Sequence, residues 1–203
     1  PGVRVGRARL VPVTKKIGFL SFGHWSPSPY SQTRSAQDAL LQSIDLAVAA
    51  EEIGADGAYF RVHHFARQLA SPFPLLAAIG ARTKRIEIGT AVIDMRYENP
   101  YYMVEDAGAA DLIAGGRLQL GISRGSPEQV IDGWRYFGYE PREGETDADM
   151  ARRHSEVFLA LLEGATTVGD VVLYLEAIGN AADPRALPVI QRYLTHESWE
   201  IRA

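Results

Sequence analysis

The chain has 203 residues, 46% of them hydrophobic, with 21 basic against 25 acidic side chains, a net charge of -4 and no cysteine. That is enough apolar material for a hydrophobic core, and the charge balance gives no general attraction for nucleic acid or an anionic membrane. The lack of cysteine excludes disulfides, thiolate nucleophiles and thiolate metal sites; no apolar run approaches the roughly 18 residues of a membrane helix, no signal-peptide core opens the chain, and a cytoplasmic location is expected.

Residues 1–15 read as a disordered basic leader. Arg4, Arg7, Arg9 and Lys15 stand there without an acid or an aromatic to make a nucleic-acid patch. Ile17 to Phe22 is an apolar strand that opens onto Gly23-His24-Trp25 and a loop rich in proline and serine. Ser35 with Asp38 three residues on forms a capping-box helix start, and the helix is expected to run to Ile53 with Leu40, Ile44, Ala47 and Val48 as its apolar stripe.

The second strand, from Gly57, carries Ala58, Tyr59, Phe60 and Val62 and ends in His63-His64. Ser71-Pro72 starts a helix through Arg82, a serine cap followed by proline in the first turn. Strand Ile86 to Ile93 follows and opens onto Asp94-Met95-Arg96-Tyr97. Asn99-Pro100 repeats the cap-and-proline device for a helix that stops at Gly115-Gly116. Strand Leu118 to Ile122 then opens onto Ser123-Arg124-Gly125-Ser126, and Ala148 to Leu162 is a fourth amphipathic helix.

Four strands that are apolar along their length and polar at their C-terminal tips match the way parallel α/β proteins present chemistry, because the site lies where strands end and βα loops begin. Strand and helix alternate four times, which implies parallel pairing. No G-x-G-x-x-G follows the first strand, so an open dinucleotide-binding sheet loses its fingerprint. An eight-unit barrel needs about 250 residues. The expected fold is therefore α/β, a partial TIM-type (β/α) barrel of four units over residues 16–164.

From residue 165 the texture becomes helical. Val171 to Ile178, the turn Asn180 to Pro184, Ala186 to Leu194 and a third start at Ser198 resemble a HEAT-repeat hairpin, which buries its apolar face only against neighbouring repeats or a partner.

Taken in order, "KIGFLSFGHW", "GADGAYFRVHHF", "RIEIGTAVIDMRYENP", "VEDAGAADLIAGGRLQLGISRGSP" and "YFGYEP" resemble the luciferase-like class of flavin-dependent oxidoreductases and monooxygenases over roughly residues 15–164. The resemblance implies a TIM-barrel enzyme that uses reduced FMN, or in some branches the deazaflavin F420, with a small organic substrate and oxygen. It places cofactor-binding roles on Phe22, Gly23, Thr90, Ala91, Ser123, Arg124 and Gly125, and catalytic roles on His63 and His64. Arg124 would meet the flavin phosphate. Ser123 stands where bacterial luciferase has a cysteine near the flavin ring. The family's histidine pair is usually preceded by an acid, and here that position is Val62.

Imidazole suits the proton handling that reduced flavin and oxygen require, and Phe22, Trp25 and Tyr30 are expected to supply an aromatic wall or lid. Other readings stand beside these. Adjacent histidines on a strand point to opposite faces and do not chelate as H-x-H does, so no metal is expected; one histidine packed and the other exposed is the structural alternative. Arg124 could pair with Asp94 or Glu128. Asp147, Asp149, Arg152 and Arg153 read as a solvated helix face. Partners could be a second half-barrel in a homodimer or a protein held by the C-terminal helices, and a non-catalytic scaffold is the alternative function.

Overall fold

The computed structural model describes residues 15–125 and 129–163. The expected leader and the HEAT-like segment lie outside these residues, apart from Lys15. The elements run β1 (Gly18–Ser21), α1 (Ala36–Glu52), β2 (Gly57–Phe60), α2 (Pro72–Arg82), β3 (Glu87–Asp94), α3 (Pro100–Ala114), β4 (Leu118–Ser123) and α4 (Asp147–Glu163), with a 3-10 turn at Gly133–Phe137 between β4 and α4.

The four strands form one sheet in the order β1-β2-β3-β4, every neighbouring pair parallel. Gly18 pairs with Gly57, Gly57 with Glu87, and Ile88 with Leu118. The β3–β4 register jumps between Thr90 and Ile93, and the Ala91–Val92 peptide within that jump is cis. Gly89 faces Gln119 in this pairing, and a β-carbon at Gly89 would lie 1.9 Å from the Gln119 carbonyl oxygen, so only glycine permits the two backbones to approach.

Local chemistry sets the helix starts. Ser35 caps α1 by accepting from the Asp38 N–H, and the Asp38 carboxylate accepts from the Ser35 N–H, which completes a capping box. Asn99 caps α3 by accepting from the N–H groups of Tyr101 and Tyr102. Ser71 makes no side-chain cap bond, and Pro72 alone marks the start of α2.

One core cluster joins α1 and α2 to the sheet through Ala47, Leu76, Ile79, Phe60 and Ile88. A second joins α2, α3 and α4 to the end of β3 through Phe73, Met103, Ile93, Met95, Phe158 and Leu161. Each such large side chain contributes roughly 1.5–3 kcal/mol by leaving water. The buried face of α1 is Ala39, Ser43, Ala47 and Ala50, while Leu40 is exposed and Ile44 only partly buried. The expected stripe is thus displaced by about one residue, because the small side chains let the helix lie close to α2 and the sheet. At the far end of the sheet Glu51 accepts from three successive backbone N–H groups, those of Lys84, Arg85 and Ile86, at 2.9, 2.5 and 2.9 Å. That carboxylate ties the end of α1 to the turn before β3.

Candidate active site

All four strands deliver residues to one cavity of about 120 Å³ at their C-terminal ends. β1 supplies Leu20 and, just beyond it, Phe22; the segment after β2 supplies Arg61, Val62, His63 and His64; β3 and its turn supply Ala91, Val92, Asp94, Arg96 and Tyr97; β4 supplies Ser123. Of the sequence-expected residues, the structure brings Phe22, His63, His64, Ala91 and Ser123 together on this lining.

The others lie elsewhere. Thr90 is buried, and its hydroxyl donates to the Gly121 carbonyl oxygen at 3.0 Å, so its side chain serves the β3–β4 contact instead of facing the cavity. Gly23 packs against Leu69. Gly125, at φ +117, lies against the Arg96 guanidinium, which a β-carbon there would meet at 2.5 Å. Arg124 is exposed and forms no ion pair among the described residues.

The expected aromatic wall also changes. Tyr30 is 95% exposed and Trp25 packs onto the first core cluster under the Arg67 guanidinium, so of the three only Phe22 reaches the cavity. A different set of rings adjoins the cavity, joined to its lining through His64 and Tyr97. The His64 ring stacks on Tyr97 with centroids 4.4 Å apart and meets the edge of Phe137 at 4.9 Å. Tyr97 and Phe137 pack edge to face at 5.2 Å, and Phe65 leans on Tyr97, Tyr136 and Phe137. Tyr136 and Phe137 come from the turn between β4 and α4, whose composition alone carries no sign of this role.

The sequence pattern gives Arg96 no role and Asp94 only that of an alternative partner for Arg124. Arg96 is the partner the structure supplies. Its Nε donates to Asp94 Oδ1 at 3.0 Å and its Nη2 to Asp94 Oδ2 at 2.7 Å. Its Nη1 donates to Asp147 Oδ2 at 2.7 Å. The guanidinium is only 7% exposed, Asp94 14% and Asp147 40%. Asp147 is therefore not merely part of a solvated face, and Arg153, next in that expected set, binds Glu145 through Nε and Nη2. The one available signal was the Asp94-x-Arg96 spacing directly after an apolar strand.

Burial pushes the His64 imidazole below its usual value; Asp94 opposes this with its negative charge, and His63 adds to it. Beside the site, burial pushes the Glu98 carboxyl up to about 7, with Asp106 and Asp94 repelling the charged form. His154 on α4 is buried with Nδ1 2.9 Å from the Met95 carbonyl oxygen, and burial holds its imidazole below the ordinary range. Among the described residues no group of three or more His, Asp and Glu could hold a metal ion, and no helix is long and apolar enough to cross a membrane.

Comparison with known proteins fits this geometry. The luciferase-like monooxygenase family model matches residues 17–178, which extends beyond the boundary at 164 expected from the sequence and into the stretch that resembled a HEAT repeat. The uncharacterized protein YwcH of Bacillus subtilis is 34% identical over 109 residues, 53% of this chain and 33% of its own length. The alkanal monooxygenase alpha chain of Photorhabdus laumondii is 28% identical over 155 residues, 75% of this chain and 38% of its own. Among solved structures, the oxygenating constituent of 3,6-diketocamphane monooxygenase from Pseudomonas putida, in complex with FMN, superposes with a TM-score of 0.59 at 23% identity, covering 70% of this chain and 38% of that one. The chain thus spans about a third to two-fifths of the length of the relatives it matches. With a family match across most of its length and a parallel sheet that gathers its strand tips into one cavity, this chain belongs to the luciferase-like monooxygenase family.

Proposed function

We propose that this chain carries the flavin-dependent monooxygenase chemistry of its family, with reduced FMN as cofactor and a small organic molecule and oxygen as substrates. The observation that supports this most is the cavity where Phe22, His63, His64, Ala91 and Ser123 meet at the C-terminal ends of the strands. The residues present fit a flavin. Leu20, Phe22, Ala91 and Val92 offer an apolar surface for a flat ring, and Arg124, exposed just past the end of β4, has a guanidinium suited to a phosphate.

Reduced flavin supplies the electrons that activate oxygen. The chain's own residues supply the setting. Tyr97 and Phe22 line the cavity with rings and limit water there, and Phe65 and Phe137 pack behind Tyr97. His64, held in plane by Tyr97, accepts or returns a proton at an imidazole nitrogen, and its lowered proton affinity leaves it ready to accept at neutral pH. Arg124, exposed in the loop after β4, orients the cofactor's anionic end.

The test is an anaerobic fluorescence titration of the chain with FMN and, separately, F420, followed by mass spectrometry of bound cofactor. The expected result is FMN binding weaker than about 1 μM, because these residues span about a third to two-fifths of the length of the relatives they match. A response to F420 alone would reassign the cofactor. No response to either would remove the enzymatic assignment and leave the scaffold role.

A further inference from the structure

The histidine pair lacks the acid that commonly precedes it in the family, since Val62 fills that place and is buried. The structure puts a carboxylate in the same cavity from another strand. Asp94, the last residue of β3, lines the cavity with His63 and His64. It is connected to the His64 ring by the backbone as well, because Tyr97, on which that ring stacks, donates its N–H to the Asp94 carbonyl oxygen at 3.1 Å. The residue that fixes the imidazole plane and the residue that carries the negative charge are thus parts of one tight turn.

The charges around His64 can be followed one by one. His63 comes from its own segment, and Arg61, also on the lining, stands over the Phe22 ring. Asp94, Arg96 and Tyr97 come from β3 and its turn, while Phe137 from the 3-10 turn brings no charge. Arg96 would cancel Asp94 if it served that carboxylate alone. Its guanidinium is shared between two carboxylates among the described residues, Asp94 and Asp147, so this trio keeps a net negative charge.

We infer that Asp94 is the positioning residue for His64, favouring its protonated form across the cavity, and that Asp147 sets the strength of this effect by sharing the Arg96 guanidinium. The inference rests on reading His64 as the working imidazole of the proposed function. It gives β3, instead of the residue before the pair, the task of supplying the acid, and it makes the proton on His64 sensitive to a residue at the start of α4.

The experiment is an NMR titration of the histidine Cε1–H signals of the full 203-residue chain without cofactor, for the parent, Asp94→Asn and Asp147→Asn. In Asp94→Asn the His64 midpoint is expected to fall by about half a pH unit or more relative to the other histidine signals. In Asp147→Asn it falls by less, because the Arg96 guanidinium then bears more fully on Asp94. Should Asp94→Asn fail to fold, Asp147→Asn decides alone, its side chain being the most exposed of the trio. A His64 midpoint that does not move, or that moves only together with all the other histidines, overturns the assignment. Because no flavin is present, failure here leaves the proposed function standing, and failure of the flavin titration leaves this assignment intact.

Discussion

Arg96 Nη1 and Asp147 Oδ2 lie 2.7 Å apart although 51 positions separate the two residues in sequence. The bond ties the turn after β3 to the first residue of α4, and the same guanidinium grips Asp94 with two of its nitrogens. Arg96→Met leaves the mostly buried Asp94 carboxylate, 14% exposed, without its cation, and a loss of about 3 kcal/mol in urea unfolding is expected. The double variant with Asp94→Asn should recover a large part of that loss. Asp147→Asn, at the more exposed end, should cost about 1 kcal/mol or less. Equal losses for Arg96→Met and Asp147→Asn would show that the buried carboxylate does not dominate.

Glu98 makes stability depend on pH in a definite direction. Burial pushes its carboxyl from 4.5 up to about 7. Below 4.5 both folded and unfolded chains hold the proton and the group contributes nothing. Between there and about 7 the unfolded chain ionises first, so folded stability falls as pH rises and levels off above. The loss is at most about 3 kcal/mol for this interval. Glu98→Gln removes it, so the variant should match the parent below pH 4.5 and exceed it at pH 8 in urea unfolding. A variant no more stable than the parent at pH 8 would rule this out.

Two glycines separate backbone strain from crowding at the site. Gly54 has φ +88 with open space around its missing β-carbon, whereas Gly125 has φ +117 and a β-carbon there would lie 2.5 Å from the Arg96 guanidinium. Gly54→Ala should cost about 1 kcal/mol from conformation alone. Gly125→Ala carries a similar strain and also displaces Arg96, so about 2–3 kcal/mol is expected. Comparable costs at the two positions would mean that Arg96 moves aside freely.

Arg124 is read as the phosphate contact, and this can be tested without turnover. The parent should bind FMN more tightly than riboflavin, which lacks the phosphate. Arg124→Gln should lose about tenfold in FMN affinity, equivalent to about 1.4 kcal/mol, with riboflavin affinity unchanged. An equal loss for both flavins would place Arg124 away from the phosphate.

The strands and helix starts were legible because their signals are local. Apolar runs such as Ile86 to Ile93, the Ser35–Asp38 box and the Asn99-Pro100 pair each declare themselves within a few residues. The helix faces were less so. Leu40 looks like a core residue, yet Ala39 and Ser43 take the buried side, since which flank of a helix meets a sheet depends on how closely the pair can pack. The site divides in the same way. Ser123 ends β4 and His63 and His64 follow β2 by three and four residues, within reach of periodicity, whereas the Arg96 pairing with Asp147 and the rings of Tyr136 and Phe137 depend on chain segments brought together only by folding. Tyr30 misled because a loop aromatic close in sequence to the first strand tip points to solvent.

Lys84-Arg85 is a dibasic pair in a surface turn, the sort of bond trypsin cuts first. To enter a protease cleft such a turn must peel away from its domain as an extended strand, and here the N–H groups of Lys84, Arg85 and Ile86 are all held by Glu51. Brief digestion should therefore spare this bond in the parent and cut it in Glu51→Ala, so that a single carboxylate at the end of α1 decides whether this turn can open.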